Sequence, residues 1–252
     1  MRSTGVAPHP PHIVWDWNGT LLDDNHAVLA GVNSVCAEFG REPITLEQWK
    51  SIFRRPLTAC YEELLARSLS TQDWAVLDRR YHEQYNVLLR EWLASAVSAA
   101  ASAGPRASAV SAAASAGPRA SAVALAAGVP DALRHWRDRG GRQSLLSMWF
   151  HHELVPVVAE LGMSDLFARV DGLRERTGGG SKARHLVAHL QAQAVDPAEV
   201  VVIGDVTDDA DAAAAAGARC VLVSTGMMTH SALAGAGVPV VASVAEALDM
   251  IA

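Results

Sequence analysis

Residues 12–24 read H-I-V-W-D-W-N-G-T-L-L-D-D, and the rest of the chain is arranged around them. The apolar run Ile13-Val14-Trp15 sits between prolines behind and Asn18-Gly19 ahead, the pattern of a short buried strand that stops at a turn. Asp16 stands where that strand ends. In an open α/β sheet, loop amides, helix N-termini and side chains converge at the carboxyl ends of strands, so a carboxylate there is a candidate for chemistry.

Beyond Asp24 the apolar residues fall at helical spacing. Val28, Leu29, Val32, Val35, Cys36 and Phe39 mark one helix closed by Gly40. Residues 46–53, 57–69 and 72–93 continue the same period with no strand between them, the last opened by a Ser70 or Thr71 cap. Residues 25–94 are therefore expected to form an all-helical insert. Residues 95–107, S-A-V-S-A-A-A-S-A-G-P-R-A, are then repeated without change at 108–120. Each copy reaches only about nine residues before Gly-Pro, short of the roughly 12–15 that an isolated helix needs. With no large side chain to anchor it, the stretch 95–127 is expected to be a mobile surface insertion.

From Val129 onward helices and strands alternate. The pattern predicts helices at 131–139, 151–161, 181–193, 209–216 and 244–251, and strands at 143–147, 169–170, 200–203, 219–223 and 238–241. Alternation of this kind implies a parallel sheet covered on both faces. The expected fold is α/β: a Rossmann-like parallel sheet core built from residues 1–24 and 128–252, split by the all-helical domain.

Composition bounds the function. At 50% hydrophobic and 19% charged, 252 residues suffice for a sizeable core. A net charge of −6 and the absence of any Lys/Arg block argue against a nucleic-acid partner. No apolar leader opens the sequence and no long apolar run follows, so we expect no membrane association and a cytoplasmic protein, monomer or homodimer. Cys36, Cys60 and Cys220 show no C-x-x-C spacing, which points to reduced thiols rather than a disulfide framework or zinc site.

Three further stretches carry chemistry. Val200 to Ile203 lead into Gly204-Asp205-Val206-Thr207-Asp208-Asp209, an acidic loop at a strand end. Carboxylates so close repel one another unless a hard cation sits among them, and Mg²⁺ prefers oxygen ligands. Lys182, one of only two lysines, opens a helix after Gly178-Gly179-Gly180, where an ammonium adds to the helix's own attraction for anions. Ser147 ends the predicted strand at 143–147 and is followed by Met148.

In this order the four stretches resemble the motifs of the haloacid dehalogenase (HAD) superfamily, most of whose members are phosphatases. Asp16-Trp17-Asn18-Gly19-Thr20 is similar to its first motif, D-x-D-x-T, with Asn18 in place of the second Asp. Ser147 resembles the second motif, Lys182 the third, and Asp205 with Asp209 the fourth, G-D-x-x-x-D. The resemblance implies that Asp16 attacks phosphorus to form an aspartyl-phosphate that water hydrolyses. It implies that Asp16, Asp205, Asp209 and the Asn18 carbonyl hold Mg²⁺. Trp17, Gly19, Thr20, Ser147 and Met148 would receive the transferring group, with Lys182 beside it, and the helical insert would be a cap that closes over a small phosphorylated metabolite. In the cap, Arg54-Arg55-Pro56 forms a cationic turn able to clamp an acidic substrate.

Asn18 can supply the carbonyl but not the proton that the family's second Asp gives to the leaving oxygen, a contribution of roughly 100 to 10,000-fold. Three readings follow. The first is a phosphatase similar to the phosphoglycolate phosphatase branch, with water, His82 or a neighbouring Asp compensating for Asn18. A second draws on the phosphonoacetaldehyde hydrolase branch, which lacks the second Asp and cleaves a carbon–phosphorus bond through a cap lysine, here Lys50. The third is a non-catalytic phosphate-ester or partner-binding protein on the same fold. The dehalogenase branch works without metal, and the retained Asp205 and Asp209 argue against it.

Overall fold

A computed structural model of the chain describes residues 10–102, 122–175 and 180–252. The greater part of the tandem repeat and Gly178-Gly179 of the glycine run lie outside the described residues.

The first strand, β1 (His12–Trp15), is central in a six-stranded sheet. It pairs in parallel with β4 (Gln143–Phe150) on one side and β6 (Val200–Gly204) on the other. Beyond β4 lies β5 (Val170–Leu173); beyond β6 lie β7 (Arg219–Val223) and β8 (Val240–Val241), all parallel. Side chains alternate faces along a strand, and here both faces are covered: Ile13 and Trp15 join one buried cluster with Leu145 and Ile203, while Val14 joins a second with Val202 and Leu222. Two-sided burial explains why these strands read as unbroken apolar runs. The helices α5 (Val129–Asp138), α6 (His151–Glu160), α7 (Ala183–Gln191), α8 (Thr207–Ala216), α9 (His230–Ala234) and α10 (Val244–Ile251) supply the cover.

The chain leaves the core through β2 (Leu22–Asp23) and returns through β3 (Ala124–Leu125), which pair antiparallel as a two-stranded ribbon. Between them lie α1 (Asn25–Glu38), α2 (Leu46–Ile52), α3 (Leu57–Leu65) and α4 (Thr71–Ser102), the expected helical insert. A capping box, Thr45 with Gln48, starts α2, and a reciprocal Ser70–Asp73 pair starts α4. The insert owns a third buried cluster, including Val32, Trp49, Cys60 and Tyr61, into which Met227 of the core projects.

Several boundaries differ from the sequence pattern, three of them for a clear local reason. α3 stops at Leu65 rather than 69, because Ala66 turns left-handed at φ 54 and closes the helix. α4 runs past residue 93 to Ser102, into the first repeat copy: its alanines need no nucleation of their own when they extend an existing helix. β4 continues beyond Ser147 to Phe150 across a register irregularity, the kind of local kink that re-aims side chains beside a site. All three cysteines are free and buried.

Candidate active site

Because β4 and β6 flank β1, the carboxyl ends of three adjacent strands meet at one point. Asp16 follows β1 directly and its amide donates to the Ile203 carbonyl at 2.8 Å, which fixes the acid beside the end of β6. Asp205 follows β6, and Asp209 comes from the first turn of α8. Ligand oxygens of Asp16, Asp205 and Asp209 all lie within 4.8 Å of one another, and all three residues are buried. Lys182, 2% exposed, reaches in from the start of α7 and donates through Nζ to Asp16 Oδ1 and Asp209 Oδ1, each at 2.6 Å. Its own amide donates to Asp208 Oδ2 at 2.9 Å.

The electrostatics are those of a site built around more positive charge than one lysine provides. Burial pushes Asp16 up to about 6, with the Asp209 charge adding and Lys182 opposing. Asp205 is held well above the usual carboxylate range by burial, then by the charges of Asp16 and Asp209. For Lys182, burial favours the neutral amine, but the two carboxylates outweigh it and hold the ammonium above its ordinary value. Three clustered carboxylates against one ammonium fit a hard divalent cation, and the oxygen-only donor set fits Mg²⁺. The space around Asp205 is kept open to the backbone: a Cβ at Gly19, whose φ is +74, or at Gly226 would collide with its carboxylate.

Asn18 is held at both ends of its amide. Nδ2 donates to Asp24 Oδ2 at 2.7 Å and to the Tyr85 hydroxyl at 2.9 Å, while Ser147 Oγ donates to Oδ1 at 3.4 Å. Tyr85 also donates to Asp24 Oδ2 at 2.8 Å, and the Gly19 amide donates to Asp24 Oδ1 at 3.1 Å. Burial raises the Asp24 pKa even though Asn18, Tyr85 and Gly19 all hydrogen-bond its charged form. Ser147 also accepts from the Trp149 amide at 3.0 Å.

Above these groups lies a cavity of about 510 Å³ between core and insert. Of the residues singled out in the sequence, Asp16, Asn18, Gly19, Arg55, His82, Ser147, Met148, Lys182, Asp205 and Asp209 line it. Others fall elsewhere. The Trp17 ring is fully buried in the core, and only its backbone faces Asp16. Thr20 is buried beneath the site with its hydroxyl 3.4 Å from Asp205 Oδ1. Arg54 turns outward to Glu63 at 2.7 Å and to the carbonyls of Ile52 and Ala59, so the two arginines of the expected clamp part company. Lys50 is not among the lining residues; its pKa is lowered by burial, against the charges of Asp205 and Asp23. His82 Nδ1 donates to the Asp78 carbonyl at 2.7 Å, and that residue raises its pKa against the effect of burial.

Sequence reasoning missed Asp24, Tyr85 and Asp208. Asp24 was legible only as one more acid in the opening stretch. Tyr85 lies in the middle of a helical period that gives no hint of which face meets the core.

A protein-family model for haloacid dehalogenase-like hydrolases matches residues 11–217. A phosphoglycolate phosphatase of Cereibacter sphaeroides is 26% identical over 219 residues, covering 86% of each chain. Among solved structures, a haloacid dehalogenase-like family hydrolase from Streptococcus pneumoniae superposes with a TM-score of 0.73 at 14% identity, over 98% of this chain and all of that one. A predicted phosphatase from Clostridium acetobutylicum gives 0.72 at 15% identity, over 96% and 98%. With its motif positions gathered at the end of β1 and a family match over most of its length, this chain belongs to the haloacid dehalogenase-like hydrolases.

Proposed function

We propose that the chain is a Mg²⁺-dependent phosphatase that hydrolyses a small phosphorylated compound through an aspartyl-phosphate on Asp16. The observation that carries the reading is the buried Asp16 carboxylate, held by Lys182 beside Asp205 and Asp209 and open to a closed-over cavity. Asp16, Asp205, Asp209 and the Asn18 carbonyl would hold the metal, which when bound neutralises phosphate oxygens and favours attack by an anionic carboxylate.

Lys182 orients Asp16 through a charge-assisted hydrogen bond and bridges it to Asp209 through a second. Ser147 and the amides of Trp17 and Asn18 would receive the transferring oxygens, while the Gly19 amide is committed to Leu22 and Asp24. Residues 25–94 act as the cap, joined to the core by the β2–β3 ribbon, and its closure excludes water from the phosphoenzyme. The Schiff-base alternative draws on the lowered pKa of Lys50 and its interaction with Asp205, but Lys50 is not among the residues lining the cavity, which favours the phosphatase reading.

Release of inorganic phosphate from p-nitrophenyl phosphate, acetyl phosphate and phosphoglycolate, with and without Mg²⁺ and beside Asp16→Asn, tests the reading. Turnover that requires both the metal and Asp16 supports it; silence across the panel favours the non-catalytic binding protein.

A further inference from the structure

Resting on the phosphatase reading, we infer that the substrate is an aryl phosphate, a phosphate ester of a phenol, that carries a carboxylate on its ring. Three independent features converge on this class. The first is the leaving group. An amide nitrogen has two hydrogens, and Asn18 commits both to protein acceptors, Asp24 and Tyr85, at the wall of the cavity. No proton is offered from this position to the departing oxygen. A phenol ionises near about 10, as tyrosine does, and leaves as its anion without help, whereas an alkoxide does not.

The second is the shape and lining of the cavity. Its volume of about 510 Å³ is that of a pocket for a ring-sized ligand rather than a two-carbon acid. Half-buried rings of Phe53, Trp74, Tyr81 and Phe150 face it, with Trp74 edge-on to Tyr61 at 6.0 Å and Tyr81 stacked on Tyr85 at 5.8 Å. Rings set edge-on and offset in this way receive another aromatic ring well.

The third is Arg55. It lines the cavity from the insert, its Nε is buried without a hydrogen-bond partner, and no carboxylate pairs with it among the described residues. A buried guanidinium nitrogen left unpaired among aromatic rings is costly unless a ligand completes it, and the planar fork matches a carboxylate.

The chemistry balances without a general acid. Asp16 Oδ bonds to phosphorus as the P–O bond to the aryl carbon's oxygen breaks, and its electron pair leaves on the phenolate. Water then attacks the phosphoenzyme, the phosphorus–carboxylate bond breaks, and both water protons stay with the product as dihydrogen phosphate.

The test compares 4-carboxyphenyl phosphate, phenyl phosphate and phosphoglycolate in Mg²⁺, for the natural chain and for Arg55→Gln and Arg55→Lys. Binding of the non-hydrolysable 4-carboxyphenylphosphonate is followed by calorimetry, and circular dichroism checks folding. The expected ranking in kcat/KM is carboxyphenyl, then phenyl, then glycolate, the first exceeding the last by at least 100-fold. Arg55→Gln should raise KM for the carboxyphenyl ester about 30-fold and that for phenyl phosphate far less, with Arg55→Lys in between. Phosphoglycolate turned over as fast as the aryl esters, or Arg55→Gln affecting both aryl esters equally, overturns the inference. If no ester turns over, the phosphatase reading fails by itself: Arg55-dependent binding of the phosphonate then upholds the assignment of the pocket, and no binding overturns that too.

Discussion

Asn18 Nδ2 lies 2.7 Å from Asp24 Oδ2, so the amide that stands in for the family's second carboxylate is bound to a buried carboxylate of its own. An acid and an amide therefore share this corner of the cavity wall. Restoring Asp at position 18 would set two carboxyl groups side by side, and like charges so close cannot both ionise in a buried site.

Asn18→Asp is accordingly expected to destabilise the fold at pH 8 by about 1–3 kcal/mol. The sign follows from the pair's raised pKa: the penalty is full where both groups would be charged and shrinks as the pH falls and the pair takes up a proton. Asn18→Asp/Asp24→Asn removes the clash, recovers stability and speeds turnover of alkyl phosphates by roughly 100-fold or more. Urea unfolding at pH 5 and pH 8, with kinetics on an alkyl ester, checks both. A double variant as unstable as the single one would sink the argument.

Metal binding should register in stability. Mg²⁺ at 100 times its dissociation constant stabilises the native state by about 2.7 kcal/mol, and Asp205→Asn should abolish most of the gain. Lys182→Met leaves Asp16 and Asp209 facing each other without a cation and should cost about 3–5 kcal/mol, part of it restored by Mg²⁺. Thermal melts in Mg²⁺ and in EDTA decide. A Lys182→Met protein as stable as the natural chain in EDTA would show that the ammonium does not hold the carboxylates.

What the sequence made legible is what has a local cause. β1, β6 and β7 were visible because strands buried on both faces leave continuous apolar runs. Asp16, Lys182, Asp205 and Asp209 stood out because charged residues beside glycines at strand and helix ends have few structural uses. The Asn18–Asp24–Tyr85 triangle was not legible: Tyr85 is separated from Asn18 by |i−j| = 67 and meets it only through the packing of α4 on the core. Arg54 and Arg55 are adjacent and chemically identical, and only tertiary structure sends one to Glu63 and the other into the cavity.

The seating of α4 against α1 depends on Gly31. A Cβ there would stand 2.7 Å from the Tyr81 ring, too close for any real contact. Gly31→Leu should push the two helices apart and destabilise the protein by about 1–3 kcal/mol. Because Tyr81 and Tyr85 both line the cavity from α4, KM should rise along with the loss of stability. Gly40→Ala, at a left-handed turn with open space around it, serves as the control: it strains the backbone but should leave KM alone. Equal effects of the two substitutions on KM would remove the link between this contact and the cavity.

A second polar chain crosses the sheet below the site. His12 Nε2 and His189 Nε2 each lie 2.8 Å from Ser144 Oγ, and His189 Nδ1 lies 2.7 Å from Asp171 Oδ2. In a proton arrangement that satisfies every contact with both rings neutral, His12 donates to Ser144, Ser144 to His189, and His189 to Asp171. It leaves His12 Nδ1 as a buried acceptor without a partner, so protonating His12 would create a buried donor with nowhere to point. Burial accordingly lowers the His12 pKa to about 4, with the charge of Arg142 adding. As the pH falls below about 6.5 the unfolded chain takes up this proton first, so the contribution of neutral His12 is full above that value and is lost on the way down to about 4. The loss reaches about 3 kcal/mol at most. Urea unfolding of the natural chain should lose stability between pH 7 and pH 4.5, and His12→Phe should flatten that part of the slope. A slope unchanged in the variant would mean that other groups, not His12, carry the acid sensitivity.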